Sequence, residues 1–217
     1  LHASLPGLRE ACTLARQGDR DGESVTTATR AIERLAEATG TRQTACVRIA
    51  RAMRESDTNL WPQGSQGHGK EPHIEPAHLV NLTLGVAVAT PLIAAPSLVR
   101  GWRGLTLAPG SLLFQPERMG WAGALLFPDS IVQEGHTLAG GVFGGEGGLG
   151  GDLARLIELI ATIEDESMLD RLDASGLSIE FAFDPLFPRA TIRWRSPELA
   201  STGQGPVELL YAPRPNT

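Results

Sequence analysis

Gly40 separates two stretches whose apolar residues recur at spacings of three and four, and this pattern constrains the fold of the chain most. The stretch Glu23–Thr39 predicts one helix with a single apolar face. Thr41 is a suitable N-cap, and it predicts a second helix from Arg42 to about Ser56. With a short helix at Leu8–Gln17, the sequence predicts three helices in tandem.

The turn at Gly40 has the residue types that two closely crossing helices require. Counted from Ile32 as the first position, the small Ala36 is fifth, where the helix axes cross, and Gly40 is ninth, where a positive φ is needed. The inward positions are apolar and hold Leu35, Cys46 and Ile49. Thr39 departs from this pattern at the eighth position, where an apolar residue is more usual.

At these positions the sequence resembles the helix-turn-helix DNA-binding regulators. Asn59–Ile74 has an apolar start and end around a glycine-rich turn, which predicts a short hairpin, and with this segment the sequence is similar to the winged variant of that family. The resemblance covers residues 8–76 and implies DNA binding. Residues 60–64 and 75–82 also resemble bacterial and prophage-associated proteins of this type.

The resemblance implies that the second helix enters the major groove of double-stranded DNA with its N-terminus first. Base-edge contacts would then come from Thr41, Arg42, Gln43 and Thr44, phosphate contacts from Arg48 and Arg51, and wing contacts from His68 and Lys70. The charge pattern agrees, because residues 42–54 hold four arginines and no acidic residue. The alternative is a three-helix bundle with a solvated arginine face.

Other candidate sites are weaker. The glycine-rich run 140–151 lacks the Gly-Lys-Ser/Thr ending of a phosphate loop, and a flexible linker is favoured. His68, His73 and His78 lie at five-residue spacing, which is not the spacing of metal ligands on one helical face. Cys12 and Cys46 are predicted to be buried thiols, with a redox pair as the alternative. We therefore predict no enzyme activity, metal or cofactor.

The sequence predicts an α+β protein with four regions. Residues 1–76 form the winged helix-turn-helix domain, and residues 77–104 continue it with helices that are candidates for dimerisation. Residues 105–151 are predicted to be an irregular glycine-rich linker with one strand at Ala122–Phe127. In residues 152–217, Asp152 is predicted to cap a helix reaching about Leu172, and alternating apolar residues then predict three strands.

The charge is unevenly distributed, since the formal net charge is −6 and the acidic excess lies after residue 60. This favours a protein partner for the acidic C-terminal region.

The apolar stretch Leu79–Val99 is interrupted by Pro91 and Pro96, so a buried helix pair is favoured over a membrane span. With no signal peptide visible at the start, the expected location is the bacterial cytoplasm, in association with the nucleoid.

These observations predict a homodimeric, sequence-specific transcriptional regulator. One alternative is a phage-type DNA-packaging or nucleoprotein component that uses the same motif. Another is a helical adaptor that binds only protein.

Overall fold

The computed structural model describes residues 27–57, 59–63, 72–89, 91–108, 143, 147–161, 170, 178–182, 188–194 and 207–214. Their contacts form two compact units. The helical unit lies within residues 5–103 and 153–162, and the sheet unit comes from residues 1–4, 104–152 and 163–217. Helices combined with one antiparallel sheet confirm the predicted α+β class.

The helical unit begins with two helices joined at Gly40. Helix α1 spans Ala28–Thr39, and the Thr27 side chain caps it by accepting the N–H of Arg30. Helix α2 spans Gln43–Ser56. The inward residues predicted from the sequence, including Ala36 and Cys46, are all buried. The predicted helix pair is therefore confirmed, but the predicted start of the first helix at Glu23 is wrong, because the capped helix begins at Ala28. The predicted helix at residues 8–17 lies outside the described residues.

Two further helices follow in the helical unit. Helix α3 spans Pro76–Val88, with proline in the first turn, where its missing N–H costs nothing. A 3-10 turn at Leu92–Ala94 leads into helix α4, which spans Ala95–Arg103. Most of α3 is buried, as is the inner side of α4 including Val99 and Trp102. This confirms the prediction of a buried helix pair.

A buried polar residue links α3 to the segment that follows α2. Asn81 is fully buried, and its Nδ2 donates a hydrogen bond of 2.8 Å to the carbonyl of Leu60. The Leu60 and Trp61 side chains are buried too. Because a buried N–H group without an acceptor is costly, this bond favours one position for the chain after α2.

The sheet unit contains four antiparallel strands. They are β1 (Thr106–Leu107), β2 (Ser178–Ala182), β3 (Arg189–Trp194) and β4 (Val207–Ala212), in the spatial order β1-β4-β3-β2. The alternation predicts β2, β3 and β4, and their apolar residues lie on one buried face: Ile179, Phe181, Ala190, Ile192, Leu209 and Tyr211. The predicted strand at residues 122–127 lies outside the described residues.

The opposite face of the sheet carries ion pairs between strands. Arg193 of β3 lies 2.8 Å from a carboxylate oxygen of Glu180 on β2 and 2.7 Å from one of Glu208 on β4. Arg193 and Glu208 are paired directly across the two strands. Opposite charges at neighbouring positions stabilise the alignment of three strands, so the central arginine helps to fix the register.

Strand β1 lies in a region for which the sequence predicts an irregular linker. It consists of two residues, so it shows no measurable alternation, and it forms by pairing with Tyr211 and Ala212 of β4. The prediction of an irregular structure is wrong at this point. The stabilising contacts come from the far end of the chain, where local sequence carries no information about them.

Helix α5 spans Gly148–Ala161, so the last part of the glycine run is helical and is not a linker. Tertiary contacts explain the correction. The Leu149 side chain is fully buried and its N–H donates to the carbonyl of Leu105 at 2.7 Å, which offsets the low helix propensity of the flanking glycines. The predicted apolar stripe is confirmed over its described members, Leu153, Leu156, Ile157 and Ile160.

Asp152 is not the N-cap of this helix, because α5 begins four residues before it. Its carboxylate is fully buried and accepts a hydrogen bond of 2.6 Å from the hydroxyl of Tyr211 on β4. An aspartate before an apolar stripe has the same sequence signature whether it caps the helix or lies inside it. The tertiary partner decides the outcome here.

Candidate nucleic-acid interface

Helix α2 is the central helix of its unit and packs against α1, α3, α4 and the 3-10 turn. Its buried side consists of Cys46, Ile49, Ala50 and Met53. The approach of α3 is close at Gly85, where a Cβ atom would lie 2.6 Å from Cγ2 of Ile49. Contacts on several sides hold α2 in a fixed orientation and leave one face for solvent.

The turn before α2 combines a left-handed glycine with a threonine hydroxyl. Gly40 has φ of 64°, as the sequence predicts, and its N–H donates to the carbonyl of Glu37. The Thr39 hydroxyl donates to the carbonyl of Leu35 at 2.7 Å and accepts the N–H of Thr41 at 3.4 Å. Thr39 can therefore occupy a position where an apolar residue is usual, because its hydroxyl is satisfied within the turn.

The start of α2 differs from the prediction by one residue. The N-cap is Arg42, which has an extended backbone and whose carbonyl accepts the N–H groups of Ala45 and Cys46. The prediction of Thr41 as the cap is therefore wrong. Thr41 is partly buried in the turn, where its N–H is bonded to Thr39. No Arg42 side-chain bond covers the first turn of α2. A helix start of this kind favours anions.

The predicted contact residues of α2 lie on its solvent face. Arg42, Gln43, Thr44, Arg48 and Arg51 are all exposed. Neither Arg42 nor Arg48 makes an ion pair within the described part of the chain. A helix places Thr44, Arg48 and Arg51 close to one line along its surface. The structure therefore places Thr44, Arg48 and Arg51 on a single accessible strip, with Arg42 and Gln43 beside its N-terminal end.

Two of these side chains already have acidic partners. Gln43 Nε2 lies 3.4 Å from a carboxylate oxygen of Glu33 on α1, and Arg51 Nε lies 2.6 Å from one of Glu55. The hydrogen bond and charge of Glu55 raise the pKa of Arg51, and those of Arg51 lower the pKa of Glu55. Since both pairs are exposed, a ligand can replace them at little cost.

Three residues near α2 were missed by the sequence predictions. Val47 lies on the exposed strip with 46% of its surface accessible. Arg100 of α4 contacts the end of α2 through the Ser56 hydroxyl at 3.2 Å and the Asp57 carboxylate at 3.3 Å. Burial lowers the pKa of the neighbouring Arg103. The sequence signal for Arg100 and Arg103 is a pair of arginines in the last turn of a helix that was predicted to be buried and to be a candidate for dimerisation.

The predicted wing is described only at its two ends, and His68 and Lys70 lie outside the described residues. The first end is a turn, because the carbonyl and carboxylate of Asp57 accept the N–H groups of Leu60 and Asn59. At the other end, His73 forms an antiparallel bridge with Thr27, just before α1. The chain thus returns from the glycine-rich segment to the start of α1.

His78 links the returning chain to α3. Its Nδ1 accepts the N–H of Glu75 at 3.1 Å, and its ring meets that of Trp61 edge-on, with 6.4 Å between centroids. Burial lowers the pKa of His78; the charge of Glu75 opposes this shift, and the charges of Arg103 and His73 add to it. The neutral ring is the form that accepts a hydrogen bond, so the geometry and the pKa agree.

Two further features of the described residues concern metal-ligating side chains and thiols. Across the described residues, no group of three or more His, Cys, Asp or Glu side chains is arranged to hold a metal ion. Cys46 is a free, buried thiol, and its burial raises its pKa, which makes it less reactive. Cys12 lies outside the described residues.

Comparison with known proteins finds no match. This holds for protein-family models, curated proteins and solved structures alike. None of the helices in the described segments is long and apolar enough to cross a bilayer.

Proposed function

We propose that this chain is a sequence-specific, non-catalytic DNA-binding protein of the transcriptional-regulator type, and that α2 enters the major groove. The observation that supports this most directly is the exposed strip of α2. It is polar and basic, its Arg48 makes no ion pair within the described part of the chain, and the opposite side of the helix is held by packing. A fixed helix with a basic outer face suits the major groove in width and in charge.

The order of residues along α2 suggests a division of roles. Arg42, Gln43 and Thr44 stand at the N-terminal end, where a helix entering the groove reaches the base edges. Arginine pairs with guanine and glutamine with adenine, each through two hydrogen bonds. Arg48 and Arg51 lie one and two turns further along, at a distance suited to phosphates. For Gln43, binding would replace its bond to Glu33 with bonds to a base.

We also propose that the chain binds DNA as a homodimer. Specific complexes bury roughly 1,000–2,500 Å² of protein surface, which is more than one short helix with a few side chains supplies. A second copy on a palindromic site doubles the contacts. Analytical ultracentrifugation of the full chain, with and without its DNA site, measures this directly.

The test of DNA binding is fluorescence anisotropy with two labelled duplexes over a salt series. One is a fragment from beside the gene, and the other is its scrambled version. Arg42→Ala is expected to reduce the preference for the native fragment by about tenfold to a hundredfold, as loss of a guanine contact does. Arg48→Ala is expected to weaken both duplexes equally and to lower the slope of log affinity against log salt by about one.

Arg189→Ala is the matched control, because Arg189 is an exposed arginine on β3 of the sheet unit. It removes the same charge from the chain without touching α2. If all three variants weaken binding equally, only net charge matters, and the role of α2 is refuted. If the wild-type chain binds neither duplex at low salt, DNA binding itself is refuted.

A further inference from the structure

Val47 is an apolar side chain on a helix face that is otherwise polar. It is 46% exposed, and among the described residues only Ile93 is a second large exposed hydrophobic side chain. Val47 follows Thr44 by three residues and precedes Arg51 by four, so it shares their strip on α2. It therefore occupies the middle of the surface assigned to DNA.

Neither packing nor helix propensity accounts for a valine at this position. The side chain is on the solvent face, opposite the buried Ile49 and Met53. β-branched residues are also less favourable in helices than alanine or the straight-chain residues. A solvent-exposed valine here stabilises the free protein little, so its role is to be sought in a complex with a ligand.

We infer that Val47 contacts the 5-methyl group of a thymine in the major groove and so selects DNA sites with thymine at one defined position. The inference rests on the proposed function, because it requires α2 to lie in the groove. The thymine methyl is the one apolar group that unmodified base pairs present there, and apolar side chains recognise it by contact. Thr44, Arg48 and Arg51 surround Val47 with groups suited to bases and phosphates.

The position of this thymine follows from helix geometry. Val47 is five residues beyond Arg42, which is about 7.5 Å along a helix axis. Successive base pairs are about 3.4 Å apart, so the thymine is expected about two base pairs from the base that Arg42 contacts.

Deoxyuridine scanning tests the inference, because uracil differs from thymine only by the absence of the methyl group. The full chain is first used to select binding sites from a random duplex library. Each thymine of the selected site is then replaced singly by deoxyuridine, and affinities are measured by anisotropy. At one position the replacement is expected to weaken wild-type binding about fourfold, which corresponds to one buried methyl group.

Two variants complete the experiment. In Val47→Ala, the same deoxyuridine replacement is expected to have no effect. Ile93→Ala is the matched control, because Ile93 is a large exposed apolar side chain outside α2, and it is expected to keep the full effect. Alanine favours helix, so Val47→Ala is expected to fold. If every deoxyuridine replacement changes the affinity equally for the wild type and for Val47→Ala, the inference is overturned but DNA binding is left intact. A library in which no sequence is enriched overturns both.

Discussion

Gly85→Ala is expected to destabilise the helical unit, because Gly85 of α3 packs against the buried side of the proposed DNA-binding helix α2. A Cβ atom at Gly85 would lie 2.6 Å from Cγ2 of Ile49, 3.6 Å from Cγ2 of Val99 and 3.9 Å from Sδ of Met53. The first distance is about 0.8 Å shorter than the 3.4 Å at which ordinary contact begins. Ile49 is β-branched and buried, so its methyl group has little freedom to move. The overlap must shift α2 relative to α3.

Two effects of opposite sign determine the size of the change. Overpacking of a core costs about 1–3 kcal/mol. Replacing a helical glycine by alanine recovers at most about 1 kcal/mol. We therefore expect Gly85→Ala to lower the free energy of unfolding by about 1–2 kcal/mol.

Urea denaturation followed by tryptophan fluorescence measures this, because Trp61 and Trp102 are both buried in the helical unit. The matched control is Gly101→Ala in α4, where a Cβ atom meets nothing within 4 Å and alanine is expected to stabilise. In an Ile49→Ala background, the added methyl should no longer destabilise. If Gly85→Ala raises the free energy of unfolding as much as Gly101→Ala does, close packing at Gly85 is refuted.

Three further changes test other contacts. Gly40→Ala is expected to cost about 1–2 kcal/mol through its φ of 64° alone, since its Cβ meets no atom within 4 Å; urea denaturation should show a smaller loss for Gly40→Asn. Tyr211→Phe removes the 2.6 Å bond to the buried Asp152 and is expected to cost about 1.5–3 kcal/mol, and an unchanged urea midpoint would contradict this. The lowered pKa of His78 means that, as the pH falls, this residue is protonated in the unfolded chain before it is protonated in the folded chain. Its contribution to the free energy of unfolding is therefore complete above about pH 6.5 and is lost as the pH falls. Denaturation between pH 7.5 and 5 should therefore show a flatter pH dependence in His78→Gln, whereas an identical slope would assign the effect to other groups.

The sequence predicts best where a pattern repeats locally. The apolar faces of α1 and α2, the proline at the start of α3 and the alternation in β2 to β4 each arise from contacts that one element makes along its length. The positive φ of Gly40 was predictable for the same reason, because two crossing helices demand it. These features specify the α+β class without any knowledge of distant contacts.

The predictions failed where a distant partner decides the local structure. Strand β1 depends on β4, and the helical start of α5 depends on the buried Leu149 and its bond to Leu105. Asp152 has the sequence context of a cap, yet its carboxylate bonds to Tyr211, 59 residues away. On α2, the arginines were found by their charge, whereas Val47 was missed because an apolar residue in a helix is first assigned to the core.

The pairing of β1 with β4 has a consequence for the order of folding. The Thr106 hydroxyl bonds to the carbonyl of Ala212 across 106 positions of sequence. By contrast, α1 to α4 contact one another within residues 28–103. Contacts between distant parts of a chain form slowly, because a long loop must close first. On the ribosome, the proposed DNA-binding helices can therefore pack together while the sheet still lacks the strand that joins β1 to β3.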